Sequence, residues 1–186
     1  MHPDDVVLET GRVRLRPWRT EEAPRLFDIL SRTDVGKWLG NEPDVMEAPA
    51  EAVERIGRWR DRIEGSHGRL GTWAVEVLGS GVLAGSLHLG ELPNGDGEVE
   101  IGWHFHPDSH GHGYATEAAR GILAKGFTDG LPEIFALTHT TNTPSQNVCT
   151  RIGMRDRGVI QDPWYGGLSQ LYRLTREEWE SSRPVR

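Results

Sequence analysis

Residues 106–116 read HPDSHGHGYAT, and this stretch decides the fold. The residues before it, Glu98 to about His106, alternate as a strand. After Gly113 the period changes. Ala115, Ala118, Ala119, Ile122, Leu123 and Phe127 recur at helical spacing. A strand therefore runs through a glycine-bearing loop straight into a helix. Gly111 and Gly113 allow close approach of a ligand to the backbone. The first turn of the helix offers unpaired N–H groups and a positive dipole end, which suits a pyrophosphate. Two other phosphate sites fail on sequence. No G-x-x-x-x-G-K-S/T run is present, and the third glycine of a dinucleotide fingerprint is replaced by Thr116.

Upstream, Val13 and Leu15 alternate with arginines and predict a strand closed by Pro17. Thr20 is expected to cap a helix with Glu21 and Glu22 in its first turn and a stripe of Ala23, Leu26, Phe27 and Leu30. A second helix is expected from Pro49 to Ile63, with Val53, Ile56 and Ile63 facing inward. Residues 70–78 and 82–90 flank Gly79-Ser80-Gly81 as a hairpin. With the strand from Glu98 they form an antiparallel meander. Downstream, Glu133–His139 reads as a strand. Thr143 is expected as a helix cap, with Pro144 at the first helical position and Gln146 completing a capping box. Val148 and Ile152 face inward, and Gly153 ends the helix. Strands near 154–160 and 168–174 finish the chain. The order predicts one α/β domain over residues 1–186, a mixed, mostly antiparallel sheet flanked by helices.

The chain has 186 residues and a net charge of -7, from 21 basic and 28 acidic side chains. That balance argues against a nucleic-acid partner, which needs a basic field, but permits one anionic ligand held by backbone amides. Hydrophobic residues make up 36% of the chain, and seven Trp add burial area. The single cysteine, Cys149, precludes an internal disulfide. No apolar run has transmembrane length and the first ten residues carry no apolar leader, so a cytoplasmic location without membrane contact is expected.

The segment His110-Gly111-His112-Gly113-Tyr114-Ala115 resembles the coenzyme-A signature Q/R-x-x-G-x-G/A of the GNAT superfamily of N-acetyltransferases. It departs at the first position, where His110 stands for Gln or Arg. Glu100-Ile101-Gly102-Trp103 and Ala115-Thr116-Glu117-Ala118 resemble the RimJ/RimL-type branch, which acetylates protein N-termini and small amines. Arg14-Leu15-Arg16-Pro17 resembles that branch's first strand. Asn142-Thr143-Pro144-Ser145 with Gly153-Met154 resembles its second block. The resemblance covers about residues 8–175. It implies a GNAT-like sheet with a V-shaped splay between two central parallel strands, at 98–106 and 133–140.

The resemblance further implies direct transfer from acetyl-CoA to a primary amine, a peptide N-terminus or a small molecule, with no metal. Backbone groups near Trp103, His104 and Phe105 would hold pantetheine, and one N–H would stabilise the thioester oxyanion. Residues His110, Gly111, His112, Gly113, Tyr114, Ala115 and Thr116 would take the pyrophosphate. Asn142 and Asn147 join the coenzyme contacts. Glu100 is the first candidate base, with His88 and His139 behind it. Deprotonating a lysine at pH 7 costs about 4.6 kcal/mol, against about 1.4 for an α-amine, so an α-amine or small amine asks less of that base. The family's usual acid Tyr is replaced by Cys149; the resemblance to the RimJ/RimL branch then implies Ser145 as the proton donor to the thiolate, with water as the alternative. Trp38, Trp59, Trp164 and Tyr165 are candidate acceptor walls. A homodimer through the late strands is open.

Two other functions compete. His104, His106, His110 and His112 form an H-x-H-rich cluster suited to a metal-dependent enzyme. The departures at His110 and Cys149 also leave room for a non-catalytic coenzyme-binding module.

Overall fold

The computed structural model describes residues 5–40 and 44–182. Eight strands form one sheet in the order β1-β2-β3-β4-β5-β6-β8-β7. They are β1 (Leu8–Glu9), β2 (Val13–Pro17), β3 (Gly71–Val77), β4 (Leu83–Glu91), β5 (Val99–Phe105), β6 (Glu133–Thr138), β7 (Arg155–Gln161) and β8 (Leu168–Thr175). The helices are α1 (Ala23–Leu30), α2 (Thr33–Gly36), α3 (Pro49–Gly65), α4 (Tyr114–Thr128), α5 (Thr143–Arg151) and α6 (Arg176–Ser181). The expected meander of β3, β4 and β5 is antiparallel. β5 and β6 pair in parallel at Glu100↔Phe135, while every other strand contact is antiparallel.

The sheet separates two apolar cores. On one face, Trp73, Leu87, Leu89 and Ile101 pack with Ala118, Ala119, Ile122, Leu123 and Phe127 of α4. On the other, Trp18 and Ala74 pack with Leu26, Ile29 and Leu30 of α1 and Ala52 and Ile56 of α3. Strand alternation makes this division: Leu87 and Leu89 face α4, so Ser86 and His88 face the opposite side. Arg16 is buried between Glu22 and Glu76, with ion-pair distances of 2.6 and 2.7 Å. That pairing is what lets a guanidinium remain in a closed environment.

Three local expectations fail. Thr20 does not cap α1. It opens a 3-10 turn (Thr20–Glu22) instead, and Glu22 accepts the Arg19 amide at 2.9 Å. Val53 points to solvent, 45% exposed, because the buried stripe of α3 runs through Ala52, Ile56 and Ile63. The cap of α5 is Asn142 rather than Thr143: its Oδ1 accepts the Ser145 amide at 3.3 Å. Gln146 then has no box to complete, and its amide donates to the carbonyls of His139 and Thr140. The short elements β1, α2 and α6 carry too little periodicity to be visible in sequence.

Candidate active site

A cavity of about 480 Å³ opens where β5 and β6 part beyond Glu100 and Phe135. Its size is that of a small-molecule site. Trp103, His104 and Phe105 line one wall; Leu137, Thr138 and His139 line the other. Asn142 and Ser145 at the start of α5 close one end, with His110 and Ala115 beside them. Trp38 and Trp59 from the α2 and α3 side roof the remainder.

The floor is polar because of the register. His88 lies opposite Gly102, and Gly90 lies opposite Glu100. Both glycines omit a side chain where the floor would otherwise fill. A Cβ on Gly90 would fall 2.5 Å from the His88 ring, whereas nothing lies within 4 Å of one on Gly102. The His88 Nδ1 meets the Thr72 hydroxyl at 2.9 Å. Burial, with Arg62 nearby, lowers His88 to about 4, and burial with Arg55 lowers His104 to about 3. Both rings are neutral at pH 7. Arg55 is paired with Asp44 at 2.8 Å.

Glu100 is the one carboxyl on this floor with a strongly raised pKa among the described residues. It is 8% exposed and receives a short hydrogen bond from the Tyr165 hydroxyl. Burial pushes it up to about 7; the Tyr165 bond opposes that rise, and the charge of Asp162 adds to it. A carboxyl near the working pH is matched to taking a proton. Tyr165 thus touches the candidate base as well as lining the cavity.

His110 and Ala115, which bracket the glycine loop, line the cavity. Gly111 and Gly113 have φ of +79° and +80°, the left-handed region that favours glycine. A Cβ on Gly111 would meet nothing within 4 Å, so open space lies on that side of the loop. Gly113 caps α4, whose first-turn amides follow at Tyr114, Ala115 and Thr116. His110 donates through Nε2 to the Phe105 carbonyl at 3.1 Å, tying the loop to the end of β5. Arg12 donates to the His112 carbonyl at 2.9 Å and pairs with Glu117, which braces the loop from β2.

Several expected residues sit elsewhere. Trp164 does not line the cavity. Its amide is held by Asp162, and its ring packs on Phe135 at 5.7 Å and beside Gly95. Asn147 lies exposed on α5, outside the cavity lining. The Asn142 Oδ1 is committed to its capping bond, which leaves only its amide nitrogen for a ligand. The four histidines do not converge. His104 faces the cavity, His106 lies between Asp28 and Asp108, His110 bonds Phe105, and His112 stacks on Tyr114. His104 and His106 do not share a strand face, because β5 ends at Phe105 and His106 caps a 3-10 turn (Pro107–Ser109). No group of three or more metal-capable side chains forms among the described residues. Cys149 is fully buried, and burial pushes its thiol up to about 12. Sequence reasoning missed Asp162 and the Tyr165–Glu100 contact, since nothing in either segment marks the other.

A splayed sheet, a left-handed glycine loop over a helix start and a cavity along the splay match the fold of GNAT acetyltransferases. The family model for the acetyltransferase (GNAT) domain matches residues 12–155, and the chain belongs to that family, in its RimJ/RimL-like part. It is an acetyltransferase enzyme. The chain is similar to the uncharacterized N-acetyltransferase YoaA of Bacillus subtilis, 26% identical over 86% of this chain and 88% of that one. It is 25% identical to the putative ribosomal N-acetyltransferase YdaF of Bacillus subtilis, over 92% and 95% of the two chains. Among solved structures it resembles Mycobacterium smegmatis RimJ in complex with CoA-disulfide, with a TM-score of 0.73, 27% identity, and coverage of 95% and 89%. No helix among the described residues is long and apolar enough to cross a membrane.

Proposed function

We propose that the protein acetylates a primary amine, a peptide N-terminus or a small molecule, by direct attack on acetyl-CoA in a ternary complex. The observation that carries this reading is Glu100, a buried carboxyl raised to about 7 on the floor of a cavity that the glycine loop overlooks. The amides of residues 110–116 would hold the pyrophosphate, and the left-handed backbone at Gly111 and Gly113 fits that role. Backbone along Trp103, His104 and Phe105 would hold pantetheine, with one N–H set against the thioester oxygen. Acetyl-CoA supplies the activated acyl group.

Glu100 accepts the amine proton, directly or through one water. The amine nitrogen forms its bond to the acetyl carbon, and the carbon–sulfur bond breaks. Ser145, at the cavity end of α5, passes a proton to the thiolate and regains one from water. The coenzyme thiol's pKa of about 8.5 makes that step undemanding. Trp38, Trp59 and Tyr165 bound the acceptor side. The polar floor around His88 and Glu100 argues for enzymatic chemistry over a passive coenzyme-binding module, because a buried carboxyl costs stability once it ionises. The name of YdaF, a putative ribosomal N-acetyltransferase, keeps ribosomal amines among the acceptors to be tried first.

The test is calorimetric titration with acetyl-CoA, wild type against Gly113→Glu. Micromolar binding by wild type and none by the variant is expected. Absence of binding by folded wild-type protein would overturn the reading.

A further inference from the structure

Asp162 lies in the turn between β7 and β8 and is only 3% exposed. A carboxyl this buried needs donors. It has three. Oδ1 accepts the amides of Trp164 and Tyr165 at 2.9 and 3.0 Å, and Oδ2 accepts the Ser169 hydroxyl at 2.7 Å. Its backbone closes the same turn: the Asp162 amide donates to the Gly167 carbonyl at 2.9 Å, and its carbonyl accepts the Gly166 amide at 3.1 Å. Gly166 and Gly167 both take positive φ, 85° and 70°. The turn is therefore wound around one carboxylate. Its product is the placement of a side chain. Tyr165 is 40% exposed, yet its hydroxyl reaches Glu100.

We propose that Asp162 is the positioning residue of the base: by gathering the amides of its turn it delivers the Tyr165 hydroxyl to Glu100, and its own charge stands behind that contact. The proposal rests on the acetyltransferase reading for its purpose, but its geometry stands without it. A flexible turn would let an exposed tyrosine swing into water, with its side-chain entropy favouring release. Pinning the backbone at Tyr165 itself removes that freedom before substrate arrives. Tyr165 occupies Oε1 of Glu100 and so leaves the other oxygen for the amine.

The two groups bias Glu100 in opposite directions. The hydroxyl stabilises the carboxylate, and the Asp162 charge opposes it. Other groups facing this floor are His88 from β4, neutral here with its value near 4, and Arg62 from α3, whose charge reaches both His88 and Tyr165. β6 presents the uncharged Phe135 opposite Glu100.

The experiment is a ¹³C NMR titration of the Glu100 side-chain carboxyl, assigned with Glu100→Gln, which needs no acceptor. Asp162→Asn keeps the shape and removes the charge; the Glu100 midpoint is expected to fall by about one pH unit. Tyr165→Phe is expected to raise it. In an Asp162→Ala background the Tyr165→Phe shift is expected to vanish, because the hydroxyl no longer arrives. An unchanged midpoint in Asp162→Asn would overturn the electrostatic part. A Tyr165→Phe shift of undiminished size in Asp162→Ala would overturn the positioning part. If Asp162→Ala does not fold, the same comparison is made with Ser169→Ala, which removes one donor to Asp162, and a partial loss of the shift is expected; an undiminished shift overturns the positioning part. Acetyl-CoA calorimetry on the same samples separates these outcomes from failure of the transferase reading.

Discussion

His88 and Gly102 are cross-strand partners in β4 and β5, and the space above Gly102 is open because no side chain fills it. The cavity floor thus depends on an absent side chain flanked by a neutral imidazole on one side and Glu100 two residues away along the strand.

Gly102→Leu should therefore fill the cavity without breaking the fold. Its strand backbone is not in the left-handed region, and an added Cβ meets no neighbour within 4 Å. Thermal stability is expected to change by less than about 1 kcal/mol, with thiol release from acetyl-CoA reduced at least about tenfold across a panel of amine acceptors. Full activity in a folded variant would move the reaction centre elsewhere.

Glu100 should make wild-type stability fall as pH rises. A carboxyl raised in the folded state favours folding below its unfolded value near 4.5, and that contribution is lost as pH climbs through about 7. Glu100→Gln removes the slope while keeping an acceptor for Tyr165. Urea unfolding at pH 5 and pH 8.5 should show the variant gaining relative to wild type at the higher pH, by at most about 3 kcal/mol. Activity should be lost at both.

Arg16 is expected to be a stability residue. Replacing it by Met leaves Glu22 and Glu76 facing each other without their cation. The cost should be about 3 kcal/mol or more by denaturant midpoint. A second substitution, Glu76→Gln, should recover part of it. Independent, additive losses would contradict the shared network.

Cys149 should not behave as a nucleophile. Its thiol is raised to about 12 by burial and has no access to solvent. A thiol reagent at pH 8 should label the folded protein only at the unfolding rate, and at once in denaturant. Cys149→Ala should retain coenzyme binding and acetyl transfer, with a stability loss of about 1–2 kcal/mol from the small void. Loss of transfer with coenzyme binding intact would point to a covalent acetyl-cysteine route instead.

The sequence by itself determined the order of the longer elements, the meander and the glycine loop at the start of α4. Each of these rests on local signals: alternation over β3 to β5, the helical stripe from Ala118 to Phe127, and glycines at positions that require positive φ. It also singled out Glu100, because that residue falls inside a resembling motif on a strand. Only the tertiary structure decided what surrounds it. Tyr165 reaches Glu100 across 65 residues of chain, through a turn wound on Asp162, and no local pattern encodes such a meeting. The same limit explains the misplaced side chains. Val53 fits a helical stripe as well as Ala52 does, and Trp164 is as plausible a wall as Tyr165 until the packing of α3 and Phe135 assigns each a side. Periodicity fixes which residues share a face; which face meets the cavity, and with what pKa, is set by burial and by charges distant in sequence.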